Sequence, residues 1–468
     1  MKTLLVSFFN DEAYGLRSIH STLVLNGFDA KLLFFKLDNY REKTKEEETT
    51  ENFIGKLDEV LESEIDLLVE FVEKEKFDVV GFSLVSQHFN LFKRIQKKLK
   101  NVIVIVGGWQ ASLEPLECLQ FADYVCVGEG EEPTLDLIRR LSNKETTNNI
   151  QNIYTKTTTN KVRQLNTRLF TLPIPIFSDI YSYIIENNQL LHQEPQFQNS
   201  RYGTFIGRGC PFACTYCSNS FMKDKIYPNE WTKIRYRSIE HVKKELLYVK
   251  KTLLNIKSIN FYDEIFSPSL SWTKEFFAWY KEEINLPFYC FFYPGLCNEE
   301  KAEVLSEAGM KGVWLGIQSG SQRVRDEIFK RHYTNELVLK QAEIFKKYNI
   351  SVRYDFIFDN PFESFDESLE SIYLMLKLPV PFSLNLFSLK FFPNTEITKM
   401  AEEKGIISKN EVDDKDRNFY FIRKDVGTEE TKFIKLLAYK ISQLSSTLTD
   451  EDRNEISTSI EDFRCHKD

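Results

Sequence analysis

The sequence predicts an α/β protein built from two parallel-sheet domains, and three observations support this prediction. Short β-branched or apolar runs alternate with helical patterns over residues 1–145 and again over 199–405, as in doubly wound sheets and β/α barrels. Residues 146–198 are rich in Asn, Gln, Thr and Pro, which is typical of a linker. A chain of 468 residues also exceeds what one core usually holds. We therefore expect a Rossmann-like doubly wound domain, a linker, a partial (β/α)6 TIM-type barrel and a small helical region over 406–468.

The first domain is expected to contain five parallel strands. Ligands of such sheets bind beyond the carboxyl ends of the strands, and several strands here end in small residues that would let a flat ligand approach the backbone. The candidate strands are residues 3–8, 30–36, 77–84, 101–106 and 123–127.

The second domain is expected to contain six βα units. Ser238 is a candidate helix cap, and Ser364 with Glu367 forms a capping-box pattern. In barrels of this type the site lies at the carboxyl ends of the strands. The candidate strands are residues 203–208, 257–263, 286–292, 311–317, 351–358 and 382–389.

Composition excludes several classes of protein. The net charge of −8 argues against binding of nucleic acid phosphates. No run of eighteen apolar residues occurs, so a membrane span is not expected. The first residues read as a strand rather than a signal peptide, and the eight cysteines do not form a small secreted framework. We expect a cytoplasmic protein in a reducing compartment.

The most informative motif is a loop with three cysteines, Cys210, Cys214 and Cys217. Gly209 and Pro211 suit a tight turn around a metal cluster. A [4Fe–4S] cluster normally takes four Cys ligands, so three thiolates would leave one iron with an open position, as in catalytic metal sites. The alternatives are a zinc loop or a group of buried thiols. Zinc would require a fourth ligand at regular spacing, and the next cysteine, Cys290, lies far downstream.

This Cys-x-x-x-Cys-x-x-Cys loop resembles that of the radical S-adenosylmethionine (radical SAM) superfamily. Upstream, the Gly-Gly-x-x-Ala and Gly-Glu-Gly-Glu segments at strand ends resemble the cobalamin-binding domain of cobalamin-dependent radical SAM enzymes. The residues assigned to cobalamin by this resemblance are Asn10, Tyr14, Gly15, Ser83, Ser86, His88, Gly107, Gly108, Ala111, Gly128, Glu129 and Gly130.

The sequence departs from cobalamin domains that coordinate cobalt through a protein imidazole. Those domains carry Asp-x-His-x-x-Gly, and none of the six histidines here has that context. The resemblance therefore implies base-off cobalamin without a protein His ligand. His88 lies in the right loop to approach the corrin, but a packing role is the more usual one for a lone histidine beside apolar residues.

The resemblance also assigns SAM-contacting residues to the strand ends of the barrel. The acidic pair after the second strand would accept hydrogen bonds from the methionine ammonium, the segment after the fourth strand would reach the carboxylate and ribose, and the segment after the fifth would contact adenine. An arginine could clamp the carboxylate, or could form a surface ion pair. These residues, with the aromatic of the cysteine loop, are Tyr216, Asp263, Glu264, Gln318, Ser319, Arg331, Ile357 and Glu363.

Three positions differ from the family pattern. Gln318 stands where Glu is usual, and Asp355 and Asp359 stand where glycines are usual. The two aspartates could face substrate, but we favour salt bridges with Arg353. Cys297, after the third strand, could donate a hydrogen atom, although a buried inert thiol is more usual.

The resemblance implies that a reduced cluster cleaves SAM to a 5′-deoxyadenosyl radical, which abstracts hydrogen from a small-molecule or peptide substrate, and that cobalamin delivers a methyl group to an unactivated carbon. An external donor such as flavodoxin or ferredoxin would supply electrons. The alternatives are cyclisation, rearrangement or oxidation without methyl transfer, a methylthiotransferase, and a non-catalytic cobalamin or iron–sulfur sensor. A methylthiotransferase is disfavoured because the first hundred residues contain no Cys.

Overall fold

The chain divides into two compact units in a computed structural model that describes residues 1–37, 60–408, 422 and 424–466. The first unit comprises residues 1–212, 217–257 and 391–418, and the second comprises residues 213–216, 258–390 and 419–468. No helix in the described ranges is both long and apolar enough to cross a membrane.

The first unit contains an eight-stranded sheet in the order β6-β5-β4-β3-β1-β2-β7-β8. All five predicted strands form, and they pair in parallel, whereas β6 and β8 pair antiparallel at the two edges. The strands are β1 Lys2–Phe8, β2 Asp29–Phe35, β3 Val79–Ser83, β4 Ile103–Gly107, β5 Tyr124–Cys126, β6 Ile153–Tyr154, β7 Ser182–Glu186 and β8 Gln189–His192.

Residues 146–198, predicted to be a linker, contribute β6, β7 and β8 to this sheet. These strands are short, and Asn187 and Asn188 have positive φ at the turn between β7 and β8. Asn accepts this conformation more readily than most residues, so the Asn-rich composition that suggested a connector also builds a hairpin.

Helices cover both faces of the sheet, so its central strands are buried on both sides, whereas every residue of the edge strand β8 is exposed. Along β1, Leu4, Val6 and Phe8 pack in one apolar cluster and Leu5 packs in another, as the two-residue period of a strand requires. The helices of this unit are Tyr14–Leu25, Glu62–Glu75, Phe89–Gln96, Trp109–Leu113, Pro115–Cys118, Glu131–Asn143, Ser218–Phe221, Ile239–Thr252 and Glu396–Glu403, with a π-helical turn at Met222–Ile226 and 3-10 turns at Ser86–His88, Leu169–Thr171, Asp179–Tyr181 and Pro195–Gln198.

The predicted strand at 203–208 forms two short strands of the first unit, β9 Arg201–Thr204 and β10 Gly207–Arg208. β10 pairs antiparallel with β11, Arg235–Tyr236. Ser238 caps the following helix by accepting a hydrogen bond from the His241 amide, as predicted.

The second unit contains a parallel sheet whose strands match the other five predictions for the barrel. Their order is β16-β15-β14-β13-β12, and every adjacent pair is parallel. The strands are β12 Ser258–Phe261, β13 Phe288–Phe292, β14 Met310–Gln318, β15 Ser351–Phe358 and β16 Ser383–Ser388.

Aromatic packing fills the core beside β12 and β13. The Phe277 ring stacks on Phe288 with centroids 4.7 Å apart, and Phe261 meets both rings edge-on. Ser364 and Glu367 form the predicted capping box. The helices of this unit are Leu270–Glu283, Glu299–Glu307, Asn335–Lys347, Phe365–Lys377, Glu429–Leu444 and Asp450–Cys465, with a π-helical turn at Val324–Ile328. The last two helices confirm a helical C-terminal region.

A buried ion pair ties the β7–β8 segment to the first helix. Arg17 donates to both carboxylate oxygens of Glu194, at 2.6 and 3.0 Å, and both side chains are almost completely buried. Ser182 donates to the same carboxylate at 2.7 Å. The pair is thus hydrogen-bonded on both sides, which is what a buried charge requires.

Replacing Glu194 with Gln should therefore destabilise the protein, because the Arg17 cation would stay buried without its carboxylate. We expect a loss of about 3–5 kcal/mol in the free energy of unfolding, measured by urea denaturation followed by circular dichroism. Glu62→Gln, in an exposed pair with Arg94 and Lys98, should cost much less, because solvent screens an exposed ion pair. Equal losses in the two variants would contradict this assignment.

Candidate functional site

The three cysteines lie in an irregular segment between β10 and the helix that begins at Ser218. Gly209 opens it with φ of +107°, and a Cβ there would lie 2.7 Å from the Trp231 carbonyl oxygen. Only glycine fits this close approach. The Cys210 amide donates to the same carbonyl at 3.1 Å, and the Thr215 hydroxyl of the loop donates to the Ile328 carbonyl at 2.6 Å.

In the second unit, Cys214 lies beside a buried arginine. Arg331 is 6% exposed, and its Nη1 lies 3.5 Å from Cys214 Sγ and 3.2 Å from the Tyr216 hydroxyl. Its Nη2 donates to the Gly316 carbonyl at 2.6 Å, and the guanidinium stacks 4.3 Å from the Tyr293 ring centroid. Arg331 forms no ion pair with a carboxylate of the described residues.

A buried cation without a carboxylate must be stabilised by hydrogen-bond acceptors, aromatic rings or another negative charge. Burial disfavours the charged guanidinium, but the pKa of Arg331 is held above its ordinary value by Tyr216, Tyr333, Cys214 and Tyr293. A thiolate at Cys214 would supply the missing charge. In the first unit, the Asn219 side-chain amide similarly donates to Cys217 Sγ, at 3.7 Å.

These donors are the features that fit an iron–sulfur cluster. Metal-bound thiolates accept hydrogen bonds from nearby N–H groups, and two of the three sulfurs have such a donor. Across residues 1–37, 60–408, 422 and 424–466, no three His, Cys, Asp or Glu side chains are already gathered in a group that could hold a metal ion. The hydrogen-bond donors beside Cys214 and Cys217 and the tight backbone turn at Gly209 are therefore the features that fit an iron–sulfur cluster.

The residues assigned to cobalamin follow strands that pair in parallel in the first unit. Ser7 of β1 is in register with Ser83 of β3, which is in register with Gly107 of β4, and β5 pairs in parallel with β4. The carboxyl ends of these strands, and the loops after them, consequently lie along one edge of the sheet. The residues at this edge are Asn10, Tyr14, Gly15, Ser83, Ser86, His88, Gly107, Gly108, Ala111, Gly128, Glu129 and Gly130.

Two glycines shape this edge. Gly108 has φ of +92°, and a Cβ there would lie 2.7 Å from the Leu84 carbonyl oxygen. Gly128 has φ of +80°, and a Cβ there would overlap the Tyr227 hydroxyl. Ser112 joins the two loops, because its hydroxyl donates to the Gly108 carbonyl at 3.0 Å and accepts from the Gly128 amide at 3.0 Å. The loops after β4 and β5 are thus joined to each other through Ser112.

Several polar side chains of this set bond within the protein instead of pointing at a free ligand position. The Tyr14 hydroxyl donates to Glu245 at 2.6 Å, and the Glu129 carboxylate pairs with Arg235 at 2.6 Å. Asn10 accepts from the Ala13 amide at 2.7 Å. These contacts leave the backbone as the main surface that the loops offer.

His88 packs against aromatic rings. Its ring centroid lies 5.9 Å from Phe8 and 5.4 Å from Phe9. Burial lowers the pKa of His88 to about 4. A neutral imidazole between two phenyl rings is in a packing position, which is the role that the sequence favoured for it.

The residues assigned to SAM lie in the second unit, most of them after the carboxyl ends of its parallel strands. Asp263 and Glu264 follow β12, Gln318 ends β14, and Ser319 follows it. Gln318 has φ of +72° at an irregularity in the β14–β15 pairing. The Ser319 hydroxyl donates to Glu363 at 2.8 Å, so the segments after β14 and β15 are directly connected. Burial raises the pKa of Glu363 to about 8.

The predicted salt bridges to Arg353 do not form. Arg353 Nε donates to Ser383, and Asp355 accepts from Asn385 at 2.8 Å; in both cases the partner is the residue in register on β16. Asp359 pairs instead with Lys435, at 2.8 Å, from the C-terminal helical region. Strand register and a distant lysine thus replace the local pairing expected from sequence.

The backbone conformation of Asp359 explains how an aspartate can occupy a position where the family pattern has glycine. Its φ is +54°, a left-handed conformation that Asp tolerates better than most residues. The Ser388 hydroxyl and the Lys435 ammonium both donate to its carboxylate.

Asp355 lies earlier in the chain, within β15, and burial raises the pKa of its carboxyl to about 6.

Cys297 is 3% exposed, and burial raises the pKa of its thiol to about 12. An inert buried thiol is the interpretation that these properties favour.

Sequence reasoning missed Asn219, Tyr227, Trp231 and Glu245. Trp231 contacts the cysteine loop through its backbone and through Asn219, and Glu245 is a fully buried carboxylate that accepts from Tyr14, Tyr202, Thr204 and Arg237. The position of Asn219, two residues after the last cysteine, was the one available signal.

Comparison with protein families identifies both domains. The Radical SAM superfamily profile matches residues 204–375, and the B12 binding domain profile matches residues 12–138. An uncharacterized methyltransferase, PH0819, from Pyrococcus horikoshii is 25% identical over 351 residues, which cover 73% of this chain and 72% of that protein. Cytidylyl-2-hydroxyethylphosphonate methyltransferase from Streptomyces wedmorensis is 28% identical over 143 residues, which cover 30% of this chain and 25% of that protein.

Solved structures share the fold. The radical SAM methyltransferase TsrM from Kitasatospora setae, bound to tryptophan and a SAM analogue, gives a TM-score of 0.64 at 16% identity, covering 86% of this chain and 76% of TsrM. The cobalamin-dependent SAM radical enzyme OxsB with aqua-cobalamin bound gives a TM-score of 0.68 at 16% identity. The match covers 99% of this chain and 71% of OxsB. With a B12 binding domain followed by a radical SAM domain, this chain belongs to the cobalamin-dependent radical SAM enzymes.

Proposed function

We propose that this enzyme transfers a methyl group to an unactivated carbon of a small-molecule or peptide substrate, using a [4Fe–4S] cluster, SAM and cobalamin. The observation that carries the proposal is the three-cysteine loop in a chain that also contains a B12 binding domain. Methyl transfer is favoured because PH0819, the Streptomyces wedmorensis relative and TsrM are all described as methyltransferases.

Cys210, Cys214 and Cys217 are the proposed cluster ligands. When bound, the cluster supplies the electron that cleaves SAM, and an external donor such as flavodoxin or ferredoxin would re-reduce it. The buried Arg331 cation and the Asn219 amide would stabilise negative charge on the sulfurs. The loop backbone is fixed at Gly209 against Trp231, and the three thiolates would come together when the metal binds.

The SAM pocket is proposed at the strand ends of the second unit. Its residues would be Tyr216, Asp263, Glu264, Gln318, Ser319, Arg331, Ile357 and Glu363, of which Asp263, Ser319, Arg331 and Ile357 are buried. Carboxylates at Asp263 and Glu264 would accept from the SAM ammonium. The Ser319–Glu363 hydrogen bond would present one carboxyl group to the ribose hydroxyls.

Cobalamin is proposed to lie against the carboxyl edge of the first sheet, in base-off form and without a protein imidazole ligand. Gly108 and Gly128 would shape the loops at this edge, because each leaves room for a neighbouring part of the protein, the Leu84 backbone and the Tyr227 ring. The packing of His88 between Phe8 and Phe9 supports a role other than cobalt ligation. We propose that the cobalamin domain spans residues 1–145, with β6, β7 and β8 of the following segment added to its sheet, and that the radical SAM domain spans residues 199–405. We also propose that the enzyme is cytoplasmic.

Cyclisation, rearrangement or oxidation without methyl transfer is the second candidate function, because the same two cofactors could support it. The two candidates differ in what becomes of SAM. Methyl transfer consumes a second SAM as methyl donor and releases S-adenosylhomocysteine, whereas the alternative releases only 5′-deoxyadenosine and methionine.

Removing any one cluster ligand should abolish SAM cleavage. Cys210→Ala, Cys214→Ala and Cys217→Ala, reconstituted anaerobically with iron and sulfide and then reduced, should each lose at least about 99% of 5′-deoxyadenosine formation, because a cluster that lacks a ligand cannot present SAM to an open iron. Liquid chromatography of the products and iron counting provide the measurement. Cys465→Ala, at an exposed cysteine, is the matched control; cleavage that persists in a ligand variant would disprove the assignment.

Protein reconstituted with hydroxocobalamin should form S-adenosylhomocysteine as well as 5′-deoxyadenosine when incubated with SAM and a strong reductant. Omitting hydroxocobalamin should suppress S-adenosylhomocysteine and leave cluster-dependent cleavage intact. Mass spectrometry of both nucleosides gives the result, with a protein-free mixture as control. Formation of 5′-deoxyadenosine alone, by protein that retains corrinoid, would favour the second candidate function.

The Glu363 carboxyl should make stability depend on pH. Its pKa is raised by burial from 4.5 to about 8, so the stability linked to the protonated group is present at low pH and lost as pH rises through about 8. The thermal unfolding midpoint of the wild type should therefore fall relative to that of Glu363→Gln between about pH 5 and pH 9. Glu303→Gln, at an exposed position, should track the wild type. Parallel curves for Glu363→Gln and the wild type would contradict the prediction.

A further inference from the structure

Asn219 lies between the cysteine loop and Trp231, within the first unit. The Trp231 indole N–H donates to Asn219 Oδ1 at 3.0 Å, and the Asn219 amide donates to Cys217 Sγ at 3.7 Å. Trp231 is 4% exposed. The side chain of Asn219 therefore connects a buried indole to a sulfur atom.

The indole fixes which end of the Asn219 amide faces the sulfur. An indole N–H can only donate, so the amide oxygen must face Trp231 and the NH₂ group must face Cys217. The opposite orientation would bring two donors together at the indole. Cys217 Sγ is consequently held as a hydrogen-bond acceptor, which is the role of a deprotonated, metal-bound sulfur.

Trp231 is itself held in place. Its ring stacks on Tyr227 with centroids 5.7 Å apart and an interplanar angle of 11°. The Tyr227 hydroxyl accepts from the Glu129 amide at 2.9 Å and from Asn152 at 3.3 Å. The Trp231 carbonyl also accepts from the Cys210 amide at 3.1 Å. One residue thus contacts the first cysteine directly and the last through Asn219.

We infer that Asn219, oriented by Trp231, is a positioning residue that raises the reduction potential of the cluster by donating a hydrogen bond to Cys217 Sγ. The inference rests on the proposed ligand role of Cys217. An N–H group aimed at a ligand sulfur stabilises the reduced cluster more than the oxidised one, because reduction adds negative charge to the sulfurs. Loss of the donor should therefore make the cluster harder to reduce.

The experiment is a redox titration of the reconstituted full chain, followed by electron paramagnetic resonance of the reduced cluster. In Asn219→Leu, which keeps similar bulk without the amide, the ratio of reduced to oxidised cluster at a fixed potential should fall about tenfold, equal to about 59 mV for a one-electron couple. Asn219→Asp should shift the potential further in the same direction, because a carboxylate near sulfur opposes added charge. Trp231→Phe keeps an aromatic ring but removes the N–H that orients the Asn219 amide. The reduction potential of this variant should therefore shift in the same direction by a smaller amount.

Asn143→Leu, at an exposed asparagine in the first unit, is the control and should titrate like the wild type. An unchanged potential in Asn219→Leu with full iron and sulfide content would overturn the inference. If Asn219→Leu loses its cluster, the test rests on Trp231→Phe. An unchanged reduction potential in Trp231→Phe would also contradict the inference, because that variant removes the indole that orients the Asn219 amide. Failure of the proposed cluster site is distinguishable, since wild-type protein would then hold no cluster to titrate, whereas failure of methyl transfer alone would leave the titration unchanged.

Discussion

Parallel strand pairing is the interaction on which both cofactor domains depend. A parallel sheet brings the carboxyl ends of its strands to one edge, so residues far apart in sequence, such as Ser83 and Gly107, become neighbours through register. The same constraint aligns the ends of β14 and β15, and the Ser319–Glu363 hydrogen bond then connects their loops. Side chains at such an edge can be replaced without disturbing the pairing, which is why one scaffold can carry different chemistry.

The two domains use their strand ends differently. In the first unit, Tyr14 bonds to Glu245 inside the protein, and the missing side chains of Gly108 and Gly128 make room for the Leu84 backbone and the Tyr227 ring. In the second unit, the Ser319 hydroxyl bonds to the Glu363 carboxyl, and Arg331 bonds to the Gly316 carbonyl. Glycines thus allow neighbouring segments to pack closely at the first edge, whereas hydrogen bonds from side chains connect the strand ends of the second.

Sequence patterns predicted the strands well, because alternating βα signals are local and the cysteine spacing is contained in eight residues. They did not predict partners that depend on tertiary structure. The Asp359–Lys435 pair joins residues 76 apart, and Asp355 meets Asn385 only through the β15–β16 register. The segment 146–198 was expected to be a linker because edge strands of two to five residues are too short to show a clear alternation.

The contacts to sulfur carry the strongest physical argument for the cluster. The Arg331 guanidinium faces Cys214 Sγ with an N–H group, and the Asn219 amide faces Cys217 Sγ with another. Each sulfur must therefore act as the hydrogen-bond acceptor, although a thiol can also act as a weak donor. Beside a neutral thiol, the buried Arg331 guanidinium would have the Gly316 carbonyl, the Tyr216 hydroxyl and an aromatic ring to stabilise its charge. A thiolate would add an opposite charge, and a metal keeps the thiolate deprotonated at neutral pH. The environments of Cys214 and Cys217 are therefore each arranged for a sulfur that carries negative charge, which is the condition that ligation of an iron–sulfur cluster imposes.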